Sequence, residues 1–359
     1  MKASIISPNT YTEPAAWGRP FPVPRHVFNA ETGQRMLADA LEQARLADTV
    51  GFDFVSVSEH HSTPFMCSPN AAVWAGALSQ VLTRARLAWL GPIVSVNNPL
   101  RVAEEVAMLD QLTGGRMIVL PLRGTPQEHT TYNNIDPDQS RSLTEEATLL
   151  IRKALTETEP FAWKGENFDF PLVSIWPGRT QVPHPPMYSS GNSPDSVSFA
   201  AQHKFPIAIG FHDTAATSKL TSQFRDEAQA AGWEPGPDDI LYRAWIAVGE
   251  SDAHAEEIRE QFLPRGVDAP PEAVPGPNPD GHRRSGAGPR AGGGGFGNMQ
   301  FCGSPATVIE QIRAFHEATG TGILDLSFGR AKQEMTLGAI RRYGEQVLPA
   351  IRDLTPSAV

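Results

Sequence analysis

The 359-residue chain is 40% hydrophobic, enough for a large core, and its 40 acidic against 30 basic residues give a net charge of −10. Scattered basic residues in an acidic chain argue against a nucleic-acid partner, and no apolar run approaches the roughly 20 residues of a membrane span. Cys67 and Cys302, the two cysteines, are far apart, which excludes a disulfide framework and a cysteine-rich metal site and suits a reducing cytoplasm.

The start, "MKASIISPNTYTEP", has too short an apolar stretch for a secretory signal, so the expected location is cytoplasmic. "ASIIS" reads as a first strand. Residues 36–50 place Leu37, Leu41, Ala44 and Ala47 on one helical face, and Gly51 stops that helix before the strand "FDFVSVS". "NAAVWAGALSQVL" reads as helix and "ARLAWLGPIVSV" as a buried strand. In "PLRVAEEVAMLDQLTGG", Val102, Val106, Leu109 and Leu112 form a stripe closed by Gly114–Gly115. The strand "RMIVLPLRG" follows, then a long loop and the helix "SRSLTEEATLLIRKAL", where Ser142 and Glu145 have capping-box spacing.

The alternation breaks at 160–178, an aromatic-rich stretch with Lys164–Gly165 at its turn, which predicts a β-hairpin insertion. It resumes with "PPMYSS", helix 194–203, "FPIAIGF", helix 214–231, "ILYRAWIAVG" and helix 252–263; "SPATVIEQIRAFHEATG", "ILDLSF" and a helix from Leu337 close the chain. Strands alternating with helices predict parallel βαβ units, and eight strands are the number that closes a TIM barrel, with residues 1–359 as one domain. The rival is a doubly wound open sheet, which lacks its G-x-G-x-x-G after the first strand. Pro264–Asn298, dominated by Gly and Pro, cannot bury enough apolar surface to offset its ordering entropy. It reads either as a surface insertion or as a mobile lid over the barrel mouth.

Active sites of such barrels lie at the C-terminal strand ends. Glu59, His60 and His61 end the second strand, Arg123 and Gly124 the fourth, Ser189–Ser193 the fifth, and Phe211 and His212 the sixth. Ser193 suits an N-cap, Pro194 the first helical position, and Ser196 the first turn. With Asn192 and the Arg123 guanidinium this is either an anion site or an ordinary capped helix. Adjacent histidines on a strand diverge, and no H-x-H or H-E-x-x-H occurs, so no metal is expected.

"GFDFVSVSEHHS", "NPLRVAEEVAMLDQLTGGR", "LRG", "EPFAWKGENFDF", "VPHPPMYSSGNSPDSVSFAAQHKFP" and "GSPATVIEQI", in that order, resemble the bacterial luciferase-like, flavin-dependent monooxygenases over about residues 30–330. The resemblance implies a (β/α)8 barrel that binds reduced FMN, activates oxygen as a flavin hydroperoxide and oxygenates a small organic substrate. It implies a homodimer and an NAD(P)H:flavin reductase that supplies the flavin. It places the catalytic histidine at His60 with Glu59 beside it. The phosphate falls to Arg123 and to Gly191, Asn192, Ser193 and Ser196. An unusual peptide under the flavin ring maps to Leu90–Gly91–Pro92, where a proline makes a cis bond inexpensive. His129, Tyr132, Phe211 and His212 fall to the substrate.

The chain also departs from the family. Leu122 replaces luciferase's reactive cysteine, so light emission is not supported, and Asn192 replaces a glutamate of the phosphate loop. The segment bearing Trp17 and Phe21 has no counterpart; its aromatics either line the mouth or pack under the barrel. A deazaflavin-dependent hydride-transfer enzyme and a non-catalytic flavin-binding protein are the alternatives on the same fold.

Overall fold

The computed structural model describes residues 1–7, 9–17, 22–64, 67–125, 128, 129, 132, 136, 138–262, 299–329 and 332–354. Phe21 and the Gly/Pro-rich segment Pro264–Asn298 lie outside these residues. Strand β1 (Lys2–Ile6) pairs in parallel with β2 (Phe54–Val57) on one side and with the last strand, β11 (Ile323–Ser327), on the other. The ladder continues from β2 to β3 (Arg86–Ile93) and β4 (Met117–Leu122), and from β11 to β9 (Ile240–Val248), β8 (Ile207–Gly210) and β7 (Ser189–Ser190). A bridge between Val119 and Met187 joins the two ends, with the Tyr188 N–H donating to the Val119 carbonyl at 2.8 Å. These are the eight expected strands, and the joined ends exclude the doubly wound sheet.

Period-two alternation sorts each strand's side chains. One set, including Ile5, Val55, Leu87, Val119 and Ile209, belongs to the large core between barrel and helices. The other, including Phe54, Ala88, Ile118, Tyr188, Leu241 and Ile323, fills the lumen. Burying a side chain of this size contributes roughly 1.5–3 kcal/mol, so both sets fix the strand register.

Helix α1 (Ala30–Val50) starts six residues before the apolar periodicity does, because the Asn29 side chain accepts from the Thr32 N–H at 3.0 Å. Its buried face is Met36, Ala40, Ala44 and Ala47, and the expected face member Leu37 is exposed. Helices α2 (Ala71–Ser79) and α3 (Pro99–Leu112) follow; Val102, Val106 and Leu109 are buried, whereas Leu112 is exposed. Helix α4 (Ser140–Thr156) begins before the predicted capping box, and the Ser142 hydroxyl donates to the Gln139 carbonyl instead.

The predicted hairpin is present as antiparallel β5 (Phe161–Lys164) and β6 (Asp169–Val173). Glu146 of α4 holds its turn, accepting from Trp163 Nε1 at 2.9 Å, the Asn167 N–H at 2.6 Å and the Phe168 N–H at 3.2 Å. Burial raises this carboxyl, and these donors together hold it below its ordinary range. Helices α5 (Pro194–His203), α6 (Thr214–Ala230) and α7 (Asp252–Phe262) match their predicted spans to within a residue. Strand β10 (Phe301–Gly303), which the sequence does not announce, pairs with β9 before α8 (Pro305–Thr319). Helices α9 (Gln333–Arg342) and α10 (Leu348–Arg352) close the chain, and none of the described helices is long and apolar enough to cross a membrane.

Candidate active site at the barrel mouth

The end of β2 resolves the three adjacent titratable residues into separate environments. His60 is 28% exposed and its Nδ1 lies 3.2 Å from Glu128 Oε1, whereas the His61 side chain is 6% exposed. A carboxylate only accepts, so Nδ1 of His60 is the donor and Nε2 is the ring's proton-accepting atom. By the same logic His61 donates from Nε2 to Glu59 Oε1 at 3.0 Å and presents Nδ1 to the Tyr132 hydroxyl at 3.2 Å. Glu59 is buried and also accepts from the Ile93 N–H at 3.2 Å and from Asn97 Nδ2 at 3.1 Å. Glu59 thus accepts three protein donors and ties the ends of β2 and β3 together.

Strand β4 ends on Arg123 and Gly124. Gly124 has φ +79°, and a Cβ there would lie 2.6 Å from Ile93 Cγ2, so this sharp exit needs glycine. The Arg123 side chain is exposed on the rim, while its carbonyl accepts from the Ser95 hydroxyl at 2.6 Å and sits 2.9 Å from His129 Nε2. His129 is buried, and its ring braces the loop through the Arg123 carbonyl and the Ser95 hydroxyl. Glu128 is buried too. Burial alone would raise its carboxyl, but His60 and two bonds from Thr125 hold it below the usual range. Tyr132 is exposed and packs edge-on to His61, with ring centroids 4.9 Å apart.

At the end of β3 the cis peptide is Leu90–Gly91, one bond earlier than the proline on which the sequence argument relied. Gly91 has no room for a side chain, because a Cβ would sit 1.6 Å from the Leu120 carbonyl oxygen. The Leu90 carbonyl accepts from Ser58 Oγ and, at 3.0 Å, from Arg243 NH1.

On the other side of the mouth, Gly191 is packed against Ile207 and Ile209. Asn192 turns its Oδ1 to the Gly210 N–H at 2.8 Å. Ser193 and Ser196 form a reciprocal capping box, with the Ser193 N–H 3.0 Å from Ser196 Oγ and the Ser196 N–H 3.3 Å from Ser193 Oγ. The sequence motif therefore is a capped helix start, and its hydroxyls already serve the backbone. Because β4 adjoins the chain entering β7, Arg123 and this helix start occupy neighbouring strand ends. Phe211 has φ +61° and packs tilted against Trp245, with ring centroids 5.2 Å apart and His212 beside it, both half-buried at the end of β8. Trp17 packs with Tyr11, Ala16, Met36 and Cys67, beside the start of α1, and does not lie under the barrel. No cluster of His, Cys, Asp or Glu among the described residues could hold a metal ion.

Sequence reasoning missed Glu128, Arg243 and Asp325. The last two sit opposite each other in the β9–β11 register, and Arg243 Nε lies 2.8 Å from Asp325 Oδ2. Their signal was present: one charge in the middle of each of two apolar strands, "ILYRAWIAV" and "ILDLS". Glu128 lay in a loop that no periodicity marks.

Residues 23–322 match the luciferase-like monooxygenase family, and the chain belongs to that family. It is 33% identical over 229 residues to an uncharacterized protein, y4wF, of Sinorhizobium fredii, and 28% identical over 220 residues to the alkanal monooxygenase alpha chain of Photorhabdus luminescens. These matches take in 62% and 61% of this chain and span 65% and 60% of the relatives' own lengths. The flavin-dependent trigonelline monooxygenase oxygenase component of Acinetobacter baylyi is 24% identical over 239 residues, 63% of this chain and 64% of that protein. Among solved structures, monooxygenase RslO1 of Streptomyces bottropensis has a TM-score of 0.78 at 24% identity, covering 97% of this chain and 99% of its own. The oxygenating constituent of 3,6-diketocamphane monooxygenase of Pseudomonas putida, in complex with FMN, gives 0.74 at 19% identity with 99% of each chain covered. An F420-dependent secondary alcohol dehydrogenase gives 0.71 at 20% identity, covering 98% of this chain and 99% of its own. Likenesses at these identities establish the fold.

Proposed function

We propose that this protein is the oxygenase component of a two-component, FMN-dependent monooxygenase acting on a small organic substrate. The observation that carries the reading is the His60–Glu128 pair: a partly exposed imidazole, backed by a buried carboxylate, at the C-terminal rim of a luciferase-like barrel. The donor set suits a phosphate monoester. Arg123 supplies an exposed guanidinium, and the α5 start supplies the helix's positive end. Asp195 in the first turn is exposed and pairs with Arg141 at 3.1 Å, which offsets part of its repulsion for an anion. Bound reduced FMN would supply the electrons that activate oxygen. The chain's own residues do the rest: Arg123 holds the phosphate, Leu90–Gly91 backs the ring, and His60 Nε2 takes up or gives a proton. Phe211, His212 and Tyr132 border the substrate's side.

A separate NAD(P)H:flavin reductase would deliver the flavin, as the oxygenase-component relative suggests. We assign a homodimer from exposed apolar side chains on neighbouring elements: Val73 on α2, Met108 and Leu112 on α3, and Trp176 and Val182 in the loop that Gln111 Nε2 ties to α3 through the Gly178 carbonyl at 2.8 Å. The test is titration with reduced FMN, oxidised FMN and deazaflavin, followed by oxygen uptake over a panel of aldehydes, ketones, amines and heterocycles. Preference for reduced FMN with substrate-dependent oxygen uptake upholds the proposal. Preference for deazaflavin with hydride transfer replaces it with the alternative, and tight flavin binding without turnover leaves a carrier.

A further inference from the structure

Below the mouth the lumen changes character. One layer is apolar, built from Phe54, Ala88, Ile118, Tyr188, Leu241 and Ile323. Above it stands an arginine, 12% exposed, paired with an aspartate of zero exposure. Burying such a pair costs several kcal/mol of desolvation, which its mutual attraction recovers only with good geometry and further hydrogen bonds. An apolar filling, as in the layer beneath, would be as stable. The pair is therefore better explained by what its outer end holds.

The guanidinium makes two hydrogen bonds and one close ion-pair contact, the latter without hydrogen-bond geometry at Nε. Nε faces Asp325 at 2.8 Å, NH2 donates to Ser58 Oγ at 2.9 Å, and NH1 donates to the Leu90 carbonyl at 3.0 Å. Ser56 Oγ donates to Asp325 Oδ1 at 2.8 Å and fixes the carboxylate in turn. Strands β9 and β3 lie four places apart in a ring of eight, so Arg243 reaches across the lumen to a strand it does not pair with. It arrives where the β3–β4 register shifts, between the Leu90 and Ile93 pairs. There Ser58 and Arg243 supply donors to the Leu90 carbonyl. From the other side the Leu120 carbonyl leaves Gly91 no room for a side chain.

We infer that Arg243, held by Asp325 and acting with Ser58, is a positioning residue that fixes the Leu90–Gly91 backbone as the rigid wall on which the ring of a bound flavin rests. This deepens the function proposed above and rests on it for the identity of the ligand. A planar fork that serves three acceptors cannot be replaced by a lysine, whose single nitrogen reaches Asp325 or the wall but not both.

The experiment compares wild type with Arg243→Lys and Ser58→Ala in two measurements. The first is amide hydrogen exchange of the free protein, where both variants should speed exchange in peptides covering residues 86–95. The second is binding of FMN and of riboflavin: Arg243→Lys should weaken both by the same factor, roughly tenfold for one lost charge-assisted bond, and shift the absorption band of the bound flavin. A purely structural role would lower melting temperature without that spectral shift. Unchanged exchange, or a loss confined to FMN, overturns the inference. Ser58→Ala keeps the ion pair, so it carries the test if Arg243→Lys does not fold. A wild type that binds no flavin defeats the proposed function, and the exchange data then still uphold or overturn the clamp by themselves.

Discussion

Around the ring of strands, the end of β2 lies opposite the end of β8, with β7 and its helix next to it. On the β2 side, four titratable side chains form two histidine–carboxylate pairs, His60 with Glu128 and His61 with Glu59. On the β7 side the functional groups are neutral: an asparagine amide turned to the neighbouring strand, and two serines that cap a helix and each other. In the proposed function one side holds protons and the other receives an anion, with Arg123 at the seam. A rim of polar residues is thus divided between two environments. In that reading histidine–carboxylate pairs place a proton, and a helix start and one guanidinium receive a phosphate.

The largest expected effect breaks the proton side. His60→Ala should lower turnover by about 100-fold or more, the usual scale of acid–base catalysis, and leave FMN affinity within a few-fold. His61→Ala should act instead on stability, by about 1–3 kcal/mol, because Glu59 then loses a buried partner and the Tyr132 loop its anchor. Melting curves and oxygen uptake on the two variants decide this. Full turnover in His60→Ala with loss in His61→Ala would exchange the two roles.

The anion side is tested by Arg123→Ala, which should weaken reduced-FMN binding by about 1.5–3 kcal/mol, as for hydrogen bonds to charged groups. Riboflavin, without the phosphate, should hardly notice. Equal losses for both ligands would move Arg123 out of the phosphate site and leave the comparison without its anion half.

How much of this the sequence discloses follows from range. The barrel is legible because period-two strands, 3.6-period helices and cap residues are local signals, and the Ser193–Ser196 cap is readable residue by residue for the same reason. The sequence expects His60 and His61 to diverge, and they do differ in exposure, but both lie beyond the end of β2 at Val57. What escapes is pairing at a distance. Glu128 reaches His60 across 68 positions, and Arg243 reaches Leu90 across 153. No window of sequence contains such contacts. The start of α1 and the exposure of Leu37 and Leu112 escape for a smaller reason, because caps and burial override a stripe of apolar letters.

The smallest effect sharpens the comparison by asking whether Glu128 is an anion beside His60 or only its neighbour. Burial alone would raise this carboxyl, and the contacts with His60 and Thr125 hold it below the ordinary glutamate value of 4.5. A depressed carboxyl contributes stability that is fully present above the unfolded value and is lost as the pH falls through the folded one. Glu128→Gln forfeits that contribution at neutral pH, at a cost of about 1 kcal/mol for a partly retained hydrogen bond. The gap between the melting temperatures of wild type and variant should therefore be widest near neutrality and close as the pH drops below 4.5. Thermal unfolding over a pH series measures it. A gap independent of pH would mean that the ionised carboxylate contributes nothing beyond its shape, and the proton side of the mouth would then consist of His60 alone.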